Sequence, residues 1–418
     1  MKDFLNKLYP QKLWLRILVL ALPAAIILFA VAYMFAGEQR KRFPFAGEQR
    51  EHFPTLPIVG DNTQDDSNET TQQNDTPPDL DPMESNRQEI EEEEFVYIDT
   101  RPRALLTGLP IDYEYELRRP IAAVINNIHV ALPQSGITSA DVIYEVLAEG
   151  DITRLVAVFQ SYVPEKIGPV RSARDSFVDF AFNHDAIFVH HGRSPDAITR
   201  INNTRINNLD GMQLEGSVFW RDRTYPAWHA NSGQRPLEHS SYTSFTRITN
   251  HLEARSIRDY VNQEPSHGFS YGFNFGEVPA ADYGGIAEIV RVPFSVPYTR
   301  TFIFDEYHGV YWVENIHGAH QDAETADQVS VTNVLIQITT KRVTGQLGQR
   351  TIGTVGEGDG YFVHGGMYRP VRWAKDSHVS PMRWYFMDGT PLILAPGSTW
   401  VNVFQTTGEV SFLASAGE

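Results

Sequence analysis

Between residues 126 and 191 the chain carries side chains that can do chemistry on a polar ligand: Asn126 and Asn127, Glu145 and Glu149, Arg154, Arg171 and Arg174, and His190 beside His191. Two carboxylates can divide the work of general acid and general base in hydrolysis, with Asn127 positioning the substrate and His190 shuttling a proton. The three guanidinium groups suit a carboxylate or a phosphate, which they grip through paired, charge-assisted hydrogen bonds. The same residues also suit an internal lattice of Arg–Glu ion pairs beneath a covered sheet face. Two classes of function follow. One is a binding module that holds an anionic or glycan ligand, or an envelope partner, with Asn126, Asn127, Arg154, Arg171 and Arg174. The alternative is an extracytoplasmic hydrolase acting on cell-wall glycan or peptide through Glu145 and Glu149. Binding is preferred, because the acid–base groups are present but no activated nucleophile or metal is evident.

The elements that must position these groups can be read from periodicity. Ile121 to Ile125 is a short apolar run that ends on Asn126 and Asn127, as a buried strand would. Gly150-Asp151 predicts a two-residue hairpin turn between 143–149 and 152–160, both rich in apolar and β-branched residues. An ideal hairpin pairs Glu149 with Ile152, Leu147 with Arg154 and Glu145 with Val156. It places Tyr144, Val146 and Ala148 on one face with Thr153, Leu155, Ala157 and Phe159, and Glu145, Glu149 and Arg154 on the other. If 140–149 were helical instead, the two glutamates would lie about 6 Å apart along the axis rather than ~13 Å. Ser172 is a candidate cap for a helix that follows Arg171 and Arg174. Asp185 to His191 reads as a strand ending on the two histidines, and Ser194-Pro195 opens a further helix. Residues 244–261 have helical spacing. A strand, a polar end and a capped helix in succession are α/β grammar, and such sheets take ligands beyond the carboxyl ends of their strands.

Charge is unevenly distributed along the 418 residues. The formal net charge of −17 divides into +4 for residues 1–60, −12 for 61–94 and −9 for 95–418. The globular part is therefore only moderately acidic, which argues against a nucleic-acid partner. Cysteine is absent, which removes disulfides, thiolate metal sites and thiol nucleophiles. Residues 17–36 are free of charge, follow Lys2, Lys7, Lys12 and Arg16, and are long enough to cross a bilayer core of ~30 Å. Residues 1–36 are expected to be a cytoplasmic N-terminus and single transmembrane helix, with the cell membrane as partner; a cleaved signal peptide is the rival. A decapeptide is repeated in tandem at 35–44 and 45–54, and 61–94 is almost devoid of apolar residues. Residues 37–94 are thus expected to be a disordered, acidic linker.

Two domains are expected beyond the linker: an α/β (or α+β) N-terminal domain over 95–288 and a mostly β C-terminal domain over 289–418. In the second, short runs at 298–304, 310–313, 331–339 and 401–405 alternate or are apolar and are separated by turn residues. His317, His320 and Asp322 have a metal-like spacing, but no further ligand is assured, and no metal or cofactor is expected. Gly356-Glu-Gly-Asp-Gly lacks the lysine and the strand–loop–helix setting of a phosphate loop.

Three long runs carry a resemblance. Arg-Arg-Pro-Ile-Ala-Ala-Val-Ile-Asn-Asn from 118, Pro-Gln-Ser-Gly-Ile-Thr-Ser-Ala-Asp-Val-Ile-Tyr-Glu-Val-Leu-Ala-Glu-Gly-Asp-Ile-Thr-Arg from 133, and Ile-Gly-Pro-Val-Arg-Ser-Ala-Arg from 167 resemble the YerB-like lipoproteins of bacterial envelopes. The similarity extends from about Arg101 to the C-terminus, including Gly-Ser-Thr-Trp-Val at 397–401. It implies a two-domain protein held outside the cytoplasmic membrane, and it supplies no catalytic residues. Two departures stand out. Relatives begin at a lipid-modified cysteine where this chain has a membrane segment, and their Pro-His-Asn run is only approximated by 225–231, which leaves His229 without an implied role.

Overall fold

The computed structural model describes residues 99–415 apart from 231–232, 262–272, 280–283, 297, 345–347, 349 and 406–407. The expected anchor at 17–36, the repeat and the acidic linker lie outside the described residues. Among the described residues no helix is long and apolar enough to cross a membrane.

The centre of the fold is a strand trio made from the most apolar stretches. These are β1 (Ile121–Asn126), β2 (Val142–Glu149) and β3 (Ile152–Phe159). Nearly every residue of the three is buried, because the sheet is covered on both faces. β3 pairs antiparallel with both β1 and β2. Two parallel strands, β4 (Ile187–His190) and β5 (Asn208–Asp210), extend the sheet beyond β1.

The C-terminal half adds β6 (Ile289–Ser295), β7 (Tyr298–Asp305), β8 (Val310–Asn315), β9 (Asn333–Thr339), β10 (Gly356–His364), β11 (Met367–Lys375), β12 (Arg383–Phe386), β13 (Thr399–Gln405) and β14 (Ser411–Leu413). It is mostly strand, as its alternation predicts. β13 lies between β9 and β2 and is parallel to both, so the two halves of the chain share one sheet. Among the described residues that sheet has 11 strands, in the order β12-β11-β10-β9-β13-β2-β3-β1-β4-β5, with residues 285–286 pairing on β11.

One face of the large sheet packs on a six-stranded sheet that contains β8, β7, β6 and β14. That layer buries Ile125, Ile143, Leu155, Phe302 and Trp400 together. The other face is covered by α1 (Asp175–Phe182) and α2 (Pro195–Thr204), which bury Phe177, Phe180, Ala197 and Ile201 against Val124, Tyr144 and Val156. Ser194 caps α2 by accepting from the Ala197 N–H, and Ser244 caps α3 (Phe245–Ala254) by accepting from the Arg247 N–H. The cap expected at Ser172 is not made: α1 begins after Arg174 without a side-chain cap, and the Ser172 hydroxyl donates to the His191 carbonyl.

The hairpin corrects the expected register. Gly150 adopts φ +52°, which a side chain would strain, and Glu149 pairs with Ile152 as expected. A bulge between Leu147 and Glu149 then adds one residue to β2, so Leu147 opposes Thr153, Val146 opposes Arg154 and Glu145 opposes Leu155. A one-residue slip exchanges the faces of a strand. Thr153, Leu155 and Ala157 therefore join Glu145 rather than Tyr144, while Arg154 and Val156 join Tyr144 and Val146 on the helix side.

Candidate ligand site between the two sheets

The bulge separates the polar residues of the hairpin into two clusters on opposite faces of the sheet. On the face toward the six-stranded layer stands Glu145, which is 1% exposed. Its Oε1 accepts from the Thr153 hydroxyl at 2.9 Å and from Asn127 Nδ2 at 3.2 Å. Arg300 of β7 reaches across from the other sheet, with Nε 2.7 Å from Glu145 Oε2. Its Nη1 donates to His320 Nδ1 at 2.7 Å, and its guanidinium lies 4.8 Å from the centre of the Trp400 ring. Burial, then the charge of Arg300, holds His320 well below the usual imidazole range, so the ring is neutral and accepts at Nδ1. Its Nε2 donates to Gln134 Oε1 at 2.8 Å, and Gln134 Nε2 in turn donates to Asn127 Oδ1 at 3.2 Å. The loop closes on itself: every charge in it has a partner of opposite sign or a matched neutral one.

This network forms part of the lining of a cavity of about 250 Å³ at the seam of the two sheets. Asn127, Glu145 and Arg300 contribute from the network, Tyr298, Leu132 and Ile316 supply apolar surface, and His129, Thr299, Asn315 and His317 complete the lining. The two histidines face each other with ring centres 4.0 Å apart. Burial, then the neighbouring His129, lowers the pKa of His317, which favours its neutral form near pH 7.

The opposite face holds the arginines. Arg154, 3% exposed, donates to Glu149 and, at 2.5 Å, to the Ser172 carbonyl. Arg174 donates to the other oxygen of Glu149. Arg171 donates to the Glu238 carbonyl at 3.2 Å. Burial, then the like charge of Arg174, pushes Arg154 down to about 9. Asn126 faces this side too, 2.7 Å from His239 Nδ1.

His190 belongs to neither cluster. It is fully buried, with Nδ1 2.9 Å from the Gly192 carbonyl and Nε2 3.2 Å from Asn208 Oδ1, and burial lowers its pKa. Glu145, Glu149, Arg154, Arg171 and His190, the candidates for a single polar site, thus do not line one hollow. The carboxylates of a glycosidase flank one bond at roughly 5–9.5 Å, whereas Glu145 and Glu149 project from opposite faces and each is held by guanidinium groups. His317, His320 and Asp322 also part company: Asp322 accepts from Thr138, while His317 sits at the cavity. Among the described residues no group of three His, Asp or Glu side chains is arranged to hold a metal ion.

Arg300 was the residue sequence reasoning passed over, and it carried a readable signal. It shares its strand parity with Phe302, so a guanidinium stands in the buried phase of an alternating strand. A charge in that phase demands a partner from elsewhere in the chain. His129, Tyr298, Asn315 and His317 had no such mark, because nothing local says that two turns and a strand end will meet.

The fold is an α+β architecture in which the two halves of the chain share one mixed sheet, and the similarity to known proteins gives the family. Residues 106–258 match the N-terminal domain, and residues 290–401 the C-terminal domain, of a family described as protein of unknown function DUF3048. The chain is 32% identical over 305 residues to "Putative lipoprotein YerB" of Bacillus subtilis (strain 168), a match spanning 72% of this chain and 86% of that protein. The crystal structure of YerB from Bacillus subtilis superposes with a TM-score of 0.63 at 30% identity, covering 74% of this chain and all of that one. The chain belongs to this YerB family. Glu145 lies in its N-terminal domain and Arg300 in its C-terminal domain, so the seam cavity takes residues from both.

Proposed function

We propose that the chain is a membrane-anchored, extracytoplasmic protein of the cell envelope whose seam cavity holds one ring of a cell-wall glycan. The observation that carries this reading is the composition of the cavity: apolar surface from Tyr298, Leu132 and Ile316, with Glu145, Arg300, Asn127, Asn315 and two imidazoles around it. Sugar hydroxyls both donate and accept, so they need carboxylate, amide and imidazole partners in mixture. The Glu145–Arg300 pair leaves the cavity without excess charge, and Arg300 is already committed to Glu145, His320 and the Glu314 carbonyl. A charged ligand gains little there. A volume of about 250 Å³ lies just below the ~300 Å³ at which pockets for drug-sized ligands begin, which suits a single ring.

The placement draws on two further observations. Residues 17–36 are charge-free and preceded by basic residues, and the relative in Bacillus subtilis is named as a lipoprotein. The test is calorimetric titration of the full-length chain with N-acetylglucosamine, and with inorganic phosphate as the charged comparison. Sugar binding that falls about tenfold in His317→Ala, with an unchanged Tm, supports the reading; phosphate binding in its place overturns it.

A further inference from the structure

The seam cavity has a neighbour at the two histidines. A second cavity of about 140 Å³ shares His129, Leu132, Asn315 and His317 with the first and is also lined by Trp228 and His229. The His129 and His317 rings, tilted 41° to each other, therefore line both hollows, as a partition or sill would. Each volume is below the ~300 Å³ at which ligand pockets begin, and only joined do they exceed it.

Beside the second hollow, side chains hold each other in place. The Tyr225 hydroxyl donates to the Val130 carbonyl at 2.8 Å and ties its loop to the turn that carries His129. Tyr225 stacks on His229 with ring centres 5.2 Å apart and planes 14° from parallel, and the Trp228 ring stands edge-on to His229 at 6.0 Å. The Trp228 indole donates to the Ala323 carbonyl at 3.4 Å, which fixes its edge, yet the residue remains 43% exposed. A tryptophan held at its polar edge and open elsewhere offers a rigid surface at little entropic cost.

Resting on the reading of the first cavity, we propose that the two hollows are consecutive subsites of one groove. The groove takes a linear glycan of two or more sugar rings, which crosses the His129–His317 sill and lays its second ring on Trp228. The first subsite fixes orientation through the Glu145 side, and the second adds contact area. A single sugar uses only the first.

The test is calorimetric titration of the full-length chain with N-acetylglucosamine, its β1,4-linked dimer and trimer, and trialanine as an extended peptide. The dimer is expected to bind at least tenfold more tightly than the single sugar, equivalent to about 1.4 kcal/mol. Trp228→Ala is expected to abolish that gain while leaving single-sugar binding unchanged, and Trp228→Phe to keep most of it. A dimer no tighter than the single sugar, or a Trp228→Ala variant that weakens both equally, overturns the two-subsite groove and leaves the first cavity standing. Failure of every sugar, or preference for trialanine, overturns both.

Discussion

The two polar clusters on either face of β2 and β3 use the same residue types and differ in balance. Toward the six-stranded sheet, one carboxylate meets one guanidinium, and a neutral histidine and two amides take up the remaining hydrogen bonds. Toward the helices, one carboxylate is shared by two guanidinium groups, and the buried Arg154 is pushed down to about 9 by burial and by Arg174. The first arrangement is closed and rigid and can serve as the fixed side of a cavity. The second holds more positive charge than its carboxylate neutralises. Placement of a charge pair therefore says less than its count: a 1:1 pair between two sheets specifies a geometry, whereas a 2:1 group leaves repulsion in place.

The largest expected effect breaks the balanced cluster. Arg300→Met leaves Glu145 buried with no counter-charge and is expected to cost about 3–5 kcal/mol of unfolding free energy, as removal of one partner of a buried pair does. Glu145→Gln added to Arg300→Met is expected to return most of it, since the charge itself is then gone. Denaturant unfolding followed by tryptophan fluorescence reads both. A cost below ~1 kcal/mol for Arg300→Met means that water reaches the pair, and the contrast between the clusters collapses.

A buried carboxylate four residues earlier on the chain gives a second test. Asp141 is fully buried and accepts from the backbone N–H groups of Gln160 and Ser161, and burial raises it from 3.8 to about 6. Between those values the native state holds a proton that the unfolded chain has released. Its contribution to stability is thus complete at low pH and is lost as pH rises through about 6, by about 2–3 kcal/mol. Asp141→Asn retains an oxygen for the two N–H groups and is expected to be more stable than the parent at pH 7, with the advantage gone by pH 4. Thermal melts across that range test the sign; an advantage that grows on acidification refutes it.

Much of the fold was legible because burial on two faces leaves a mark. The apolar run before Asn126, the Gly150-Asp151 turn, the Ser194-Pro195 helix start and the alternation of the C-terminal strands all carry local signals that the structure follows. The candidate site was less legible, and one residue explains most of the loss. The bulge at Ala148 has no signature in composition, yet by shifting β3 one place against β2 it moves Arg154 to the opposite face from Glu145 and turns one expected site into two clusters. The rest is distance: Asn127, Glu145 and Arg300 meet only after β13 inserts beside β2 and brings the second half of the chain alongside. No window of sequence contains that event.

The unbalanced cluster gives the smallest and most discriminating test. Glu149 has a quarter of its side chain exposed, so losing its charge is screened in part by water. Glu149→Gln is expected to cost about 1–2 kcal/mol, well under the Arg300→Met value, since Arg154 and Arg174 then face each other with no carboxylate between them. Arg174→Gln acts in the opposite sense. It removes one of two guanidinium groups competing for one carboxylate, so it is expected to cost less than Glu149→Gln. Adding it to Glu149→Gln is expected to relieve part of that loss. Denaturant unfolding of the three variants at low and high salt separates the contributions, because like-charge repulsion is screened while packing is not. If Arg174→Gln costs as much as Arg300→Met, then Arg174 is a full partner of Glu149 rather than an excess charge, and both faces of the sheet are balanced.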